Sequence, residues 1–193
     1  MKRIIGTLAV IFIMVLAFSS CSSPPTEEMQ KAQDAVIRAE NDADAVTYAG
    51  NTVIHARDAL TRMQSEADSK RYDVAKQFAA EAINNAEKAI ADGQSAKERS
   101  KAEAAALLDN VQSSLTETSS AISNARDVPD IQLDFDSLTQ DTHEARETYD
   151  EAQQSFQAGD NPDAIAKGEN ARAILSDVNS KINEAAFDSS RKQ

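Results

Sequence analysis

Small residues recur along this chain at alternating steps of three and four, and that spacing suits only one backbone. Ala75, Ala79, Ala82, Ala86 and Ala89 fall on a single stripe of an α-helix. A strand buries alternate residues and would scatter the same set over both faces. Five glycines and four prolines in 193 residues leave few interruptions, which favours long helices. Alanine buries little area, and aromatic residues make up only 5 % of the chain, with no tryptophan. The expected class is therefore all-α, an elongated antiparallel bundle of helical hairpins with a thin core.

Six segments carry the pattern. The first is capped by Pro24-Pro25-Thr26, with Glu27 and Glu28 in its first turn, and its seam is Met29, Ala32, Val36, Ala39, Ala43 and Val46 before Gly50 and Asn51 punctuate it. The second carries Val53, Ala56, Leu60, Met63 and Ala67 and ends at the polar turn Asp68-Ser69-Lys70-Arg71. The third is the alanine row already named, thickened by Phe78, Ile83 and Ile90. Gly93 marks a stop, after which Ser95-Ala96-Lys97-Glu98 reads as a capping box; the alternative is one helix running through Gly93 at a cost near ~1 kcal/mol. The fourth carries Ala105, Leu108, Val111, Leu115, Ile122 and Ala125. The stretch "DVPDIQLDFD" then reads as an extended loop. Ser137-Leu138-Thr139-Gln140 caps the fifth, with seam Leu138, Ala145, Tyr149, Ala152 and Phe156. Gly159, Asn161 as cap and Pro162 make a hairpin turn into the sixth, with seam Ala164, Gly168, Ala171, Leu175, Val178, Ile182 and Ala185.

"RMQSEADSKRYDVAKQFAAEA" aligns without gaps on "EAQQSFQAGDNPDAIAKGENA", pairing Ala75 with Ala164, Ala79 with Gly168 and Ala82 with Ala171. The expected organisation is a signal at 1–20, a tether at 21–25, two related three-helix units at 26–93 and 94–187, and a frayed tail at 188–193.

The signal is read from Lys2 and Arg3, the apolar run from Ile4 to Phe18, and the small residues Ser19 and Ser20. That run is too short for a membrane span, which needs ~20 apolar residues. The run ends on Cys21, the only cysteine of the chain. Phe18-Ser19-Ser20-Cys21 resembles the lipobox of bacterial lipoproteins, with Phe18 where leucine is commoner. The resemblance implies that the Cys21 thiol takes a diacylglycerol and that the acylated residue becomes the mature N-terminus. Acyl chains, palmitate among them, at ~0.8 kcal/mol per buried methylene, would hold a domain to a membrane. With Cys21 consumed no disulfide can form, and packing alone must hold the fold.

Formal net charge is −12, or about −14 once Lys2 and Arg3 leave with the signal. A chain this acidic repels nucleic acid phosphates. His55 and His143 are the only histidines, and "HEARE" at His143 lacks the second histidine of a zinc helix, so no metal is expected. Asp130, Asp134 and Asp136 invite a calcium reading but lack the glycine and closing glutamate of a calcium hand. No phosphate loop, nucleophile elbow or serine–lysine constellation is found, so no catalytic residue, cofactor or enzymatic activity is expected.

"AQDAVIRAENDADAVTYAGNTVIHARDAL" followed by "RYDVAKQFAAEAINNAEKA" resembles a bacterial envelope lipoprotein family built on domain of unknown function 4398, over residues 24 to 92. A weaker resemblance to tetratricopeptide repeats lacks their bulky Trp and Tyr positions. The family resemblance implies an envelope location, on the periplasmic or surface face, and brings no activity with it. The expectation is a non-enzymatic structural or interaction module, partnered by the membrane through its lipid and by other envelope proteins. The alternative is a small-ligand or transport-accessory protein using a groove between hairpins. That reading needs Tyr149, Phe156 and Phe135 gathered in one pocket.

Overall fold

The computed structural model describes residues 23–129 and 131–191. Among them lie six helices and no strand: α1 Thr26–Asn41, α2 Ala43–Tyr48, α3 Gly50–Asp68, α4 Tyr72–Arg126, α5 Phe135–Gln157 and α6 Asn161–Ser190. The chain is all-α, as the seam spacing predicts. It divides into two compact units, one ending at Gln94 and the other beginning at Ser95. The expected signal at 1–20 and Cys21 lie outside the described residues.

The alanine row decides the N-terminal unit. Ala75, Ala79, Ala82, Ala86 and Ala89 are all buried, against Ala32, Val36 and Ala39 of α1 and Val53, Ala56 and Met63 of α3. Ala35 and Ala59 join the same core, on stripes wider than a strict seam. Phe78, Ile83 and Ile90 pack at its edge.

Two register breaks overturn the expected course of the first segment. The first segment does not run to Val46. Asp42 takes extended torsions (φ −82, ψ 112), and its carboxylate accepts the Ala45 N–H at 2.8 Å, capping α2. One extended residue shifts the stripe, so Ala45 and Ala49 are buried where Ala43 and Val46 were expected. A second break at Ala49 (φ −130) makes Gly50 and Asn51 the start of α3 rather than punctuation.

Gly93 is no stop. It continues the buried row within a 55-residue α4, and the capping box at Ser95 lies in helix interior. A Cβ on Gly93 would stand 2.6 Å from the Ala45 nitrogen and 2.7 Å from its Cα. Only glycine allows α2 to sit that close.

In the C-terminal unit Leu107, Leu108, Val111 and Leu115 of α4 pack with Ala145, Tyr149 and Ala152 of α5 and with Ala171 and Leu175 of α6. A second cluster gathers Ile122, Ala125, Leu138, Val178 and Ile182, closed by Ile131 and Leu133 from the connection and by Phe135, the first residue of α5. Thr118, fully buried, accepts a 2.8 Å hydrogen bond from the Asn179 side chain, so the seam stays satisfied across a polar position. Ala105, expected in the seam, is exposed, and Ala104 takes its place. Caps also sit earlier than expected. Asp134, not Ser137, caps α5, and Asp160, not Asn161, caps α6. A carboxylate placed before the first turn outcompetes a hydroxyl or amide already inside it. The tail expected to fray from 188 stays helical to Ser190, with Ser189 buried.

Both hairpins close the same way. Lys70 and Gly159 take left-handed torsions (φ 58 and 83) just past α3 and α5. In each turn an N–H reaches back five residues, Arg71 to the Glu66 carbonyl and Asp160 to that of Ser155, both at 2.9 Å. These two left-handed residues fall opposite each other in the gapless alignment, as do the buried pairs at Ala75/Ala164, Ala79/Gly168 and Ala82/Ala171.

Candidate functional site

The register break at Asp42 has a surface consequence. It turns Val46 outward, to 51 % exposure, beside Ile54 of α3 at 50 %. With Gly50, Asn51 and Val53 these side chains line a crevice of about 530 Å³. Glu40 and Arg57 close its rim, and the Arg57 Nε donates to Glu40 at 2.6 Å. Ile37, 45 % exposed, stands one turn before Glu40 on α1. Three of the four large exposed apolar side chains among the described residues thus lie at or beside one rim whose own charges are paired. The sequence pattern hid this place, because Val46 fits the helical seam on spacing alone.

One cluster has the composition of a nucleophile with a base. Ser155 donates to Asp163 at 2.5 Å, and the Lys167 ammonium donates to Asp163 at 2.6 Å and to the Ser155 oxygen at 3.1 Å. A general base must be neutral, and the hydrogen bond that Lys167 donates to Asp163 raises Lys167 above the ordinary lysine value. Lys167 and Ser155 in turn hold Asp163 below the usual carboxylate range. The serine proton is committed to the carboxylate, and the trio ties α5 to α6 as a polar crosslink. Asp163 and Lys167 are four apart on one helix, a spacing legible in the sequence; Ser155 enters only through the hairpin.

The residues weighed from sequence are not brought together. His55 and His143 are exposed, and the His143 Nδ1 lies 3.6 Å from Glu147 on its own helix. Asp134 is spent as a cap, accepting the Ser137 N–H at 3.1 Å; Asp136 lies in the first turn of α5, and Asp130 is outside the described residues. Among the described residues no three His, Cys, Asp or Glu side chains converge on a metal position. Tyr149 and Phe156 belong to one core cluster and Phe135 to another, so the aromatic pocket required by the small-ligand reading does not assemble. Tyr149 is core: its hydroxyl accepts from Gln153 at 2.6 Å, and burial pushes its pKa up. No helix among the described residues is long and apolar enough to cross a membrane.

Residues 27–105 match the model of the family DUF4398, a domain of unknown function. The match takes in α1 to α3 and ends inside α4, past the stretch to 92 on which the resemblance rested. No curated protein and no solved structure matches this chain.

Proposed function

We propose, from the premise that residues 27–105 are a domain of the DUF4398 family, that the chain is a non-enzymatic interaction module of a lipid-anchored bacterial envelope protein. The observation that carries the interaction role is the Val46–Ile54 crevice on that domain. It offers apolar side chains beside an ion pair that needs no outside charge, which suits the apolar face of a helix from another envelope protein. The anchor rests on Cys21 at the end of the export-like run, and a lone thiol in an exported chain is otherwise a reactive liability.

Two measurements test the two halves. Wild type should enter the detergent phase with the mass of an acylated N-terminal cysteine, while Cys21→Ser stays an unprocessed or aqueous form; an unacylated wild type found in the aqueous phase ends the anchor. For the module, cross-linking in intact envelopes should give a defined adduct that Ile54→Asp abolishes. Because Ile54 is half exposed, this variant keeps the fold, and an adduct unchanged by it would refute the crevice as the contact.

A further inference from the structure

The anchor reading leaves open which part of the domain meets the bilayer. We propose that the N-terminal unit stands with one end on the membrane, and that this end is formed by the start of α1 and the α3–α4 turn. The inference rests on acylation at Cys21 and goes on to assign a face.

The tether is short. Pro25 lies four residues from Cys21 and is buried, so the covalent span from Cys21 to this point of the domain is at most ~14 Å. Hydrogen bonds from the Thr26 N–H to Pro24 (2.8 Å) and from the Met29 N–H to Pro25 (3.0 Å) join that point to the first turn of α1. Glu28 in this turn pairs with Lys76 at 3.6 Å, which sets the beginning of α4 alongside it. The turn from Ser69 to Arg71 therefore shares the tethered end. At the other end of the unit lie Asp42, Ala49 and Gly50, one length of α3 away, or about 28 Å for its 19 residues.

Charge selects the end-on pose. Phospholipid headgroups carry phosphates, and an acidic chain lies against them only where its carboxylates are neutralised. At the tethered end Glu27 pairs with Lys31, Glu28 with Lys76, and Glu66 with Arg71, so three of its five carboxylates are neutralised and the exposed Lys70 adds a further cation. Each helix flank exposes a carboxylate outside the ion pairs, Asp34 on α1, Asp58 on α3 and Glu81 and Glu87 on α4, so a flat pose would press some of them against the phosphates. The end-on pose also carries the Val46–Ile54 crevice away from the lipid, where a protein partner can reach it.

The test uses the native acylated chain in phosphatidylethanolamine–phosphatidylglycerol vesicles. Acylation removes the Cys21 thiol, so Ser69→Cys or Asn51→Cys supplies a single thiol for a fluorophore. A headgroup-attached spin label should quench the probe at position 69 several-fold more strongly than the probe at 51. Intact mass is read on each sample first. An unacylated chain overturns the anchor and this inference together. An acylated chain with equal quenching, as in a flat pose, or with the order reversed, overturns the inference and leaves the anchor standing.

Discussion

Replacing Gly93 by alanine sets two effects against each other with opposite signs. Gly93 lies inside a continuous helix, and there alanine is favoured by about 1 kcal/mol. Propensity alone therefore predicts a more stable protein. The packing predicts the reverse. The added methyl would stand 2.6 Å from the Ala45 nitrogen and 2.7 Å from both the Ala45 Cα and the Asp44 carbonyl carbon. Ordinary contact needs about 3.5–4.0 Å, so a gap of roughly 1 Å must open between two backbones. No rotamer can supply that movement. Overpacking of this kind costs about 1–3 kcal/mol, and an obstacle made of backbone belongs at the upper end. After the propensity gain, Gly93→Ala should be destabilised by about 1–2 kcal/mol. Gly168→Ala is the internal comparison. There the methyl meets the Leu107 Cδ2 at 2.8 Å and Cγ at 3.1 Å, the far end of a side chain that can turn aside. Its stability should stay within ~0.5 kcal/mol of wild type, because the propensity gain offsets that adjustment. Urea melts followed by circular dichroism compare the two. A Gly93→Ala protein that gains the full helix-propensity increment would refute the close approach of α2 to α4.

Other outcomes follow from the same packing. Ala82→Leu, at a fully buried seam position, should lose about 1–3 kcal/mol in urea melts, whereas Asn84→Leu on the exposed face of α4 should move by no more than ~0.5 kcal/mol; equal effects would mean the alanine row is loosely held. Lys70→Gly relieves a left-handed lysine and should stabilise by about 0.5–1 kcal/mol, seen as a higher urea midpoint at unchanged slope; a lower midpoint would contradict the torsion at Lys70. Tyr149 titrates above its ordinary value because it is buried, so the folded state holds the phenolic proton more tightly than the unfolded state. Its contribution is complete below about pH 10 and falls as pH rises through the folded value. Tyr149→Phe should remove that part of the alkaline loss, and identical pH profiles for the two proteins would rule it out.

The sequence by itself determined the helical class, the seam of α3, the whole alanine row of α4 and nearly all of α6, because a helical stripe is a local property of spacing. It also marked both hairpin turns, where Gly159 and the polar run at Lys70 stop a helix within a few residues. Tertiary structure decided the rest. Ala43 and Val46 continue the spacing of α1 perfectly well, yet the extended Asp42, whose carboxylate accepts the Ala45 N–H, rotates them out, and periodicity carries no record of that bond. The candidate crevice depends on that rotation, so nothing in the pattern announced it. Thr118 reads as a gap in the seam of α4 until Asn179, far along the chain, supplies its partner. Gly93 reads as a stop because a glycine's local cost is visible in sequence, while its benefit is the space it leaves for a second backbone. Local spacing fixes what can be helix; which backbones approach so closely that no Cβ fits between them is settled only when the helices meet.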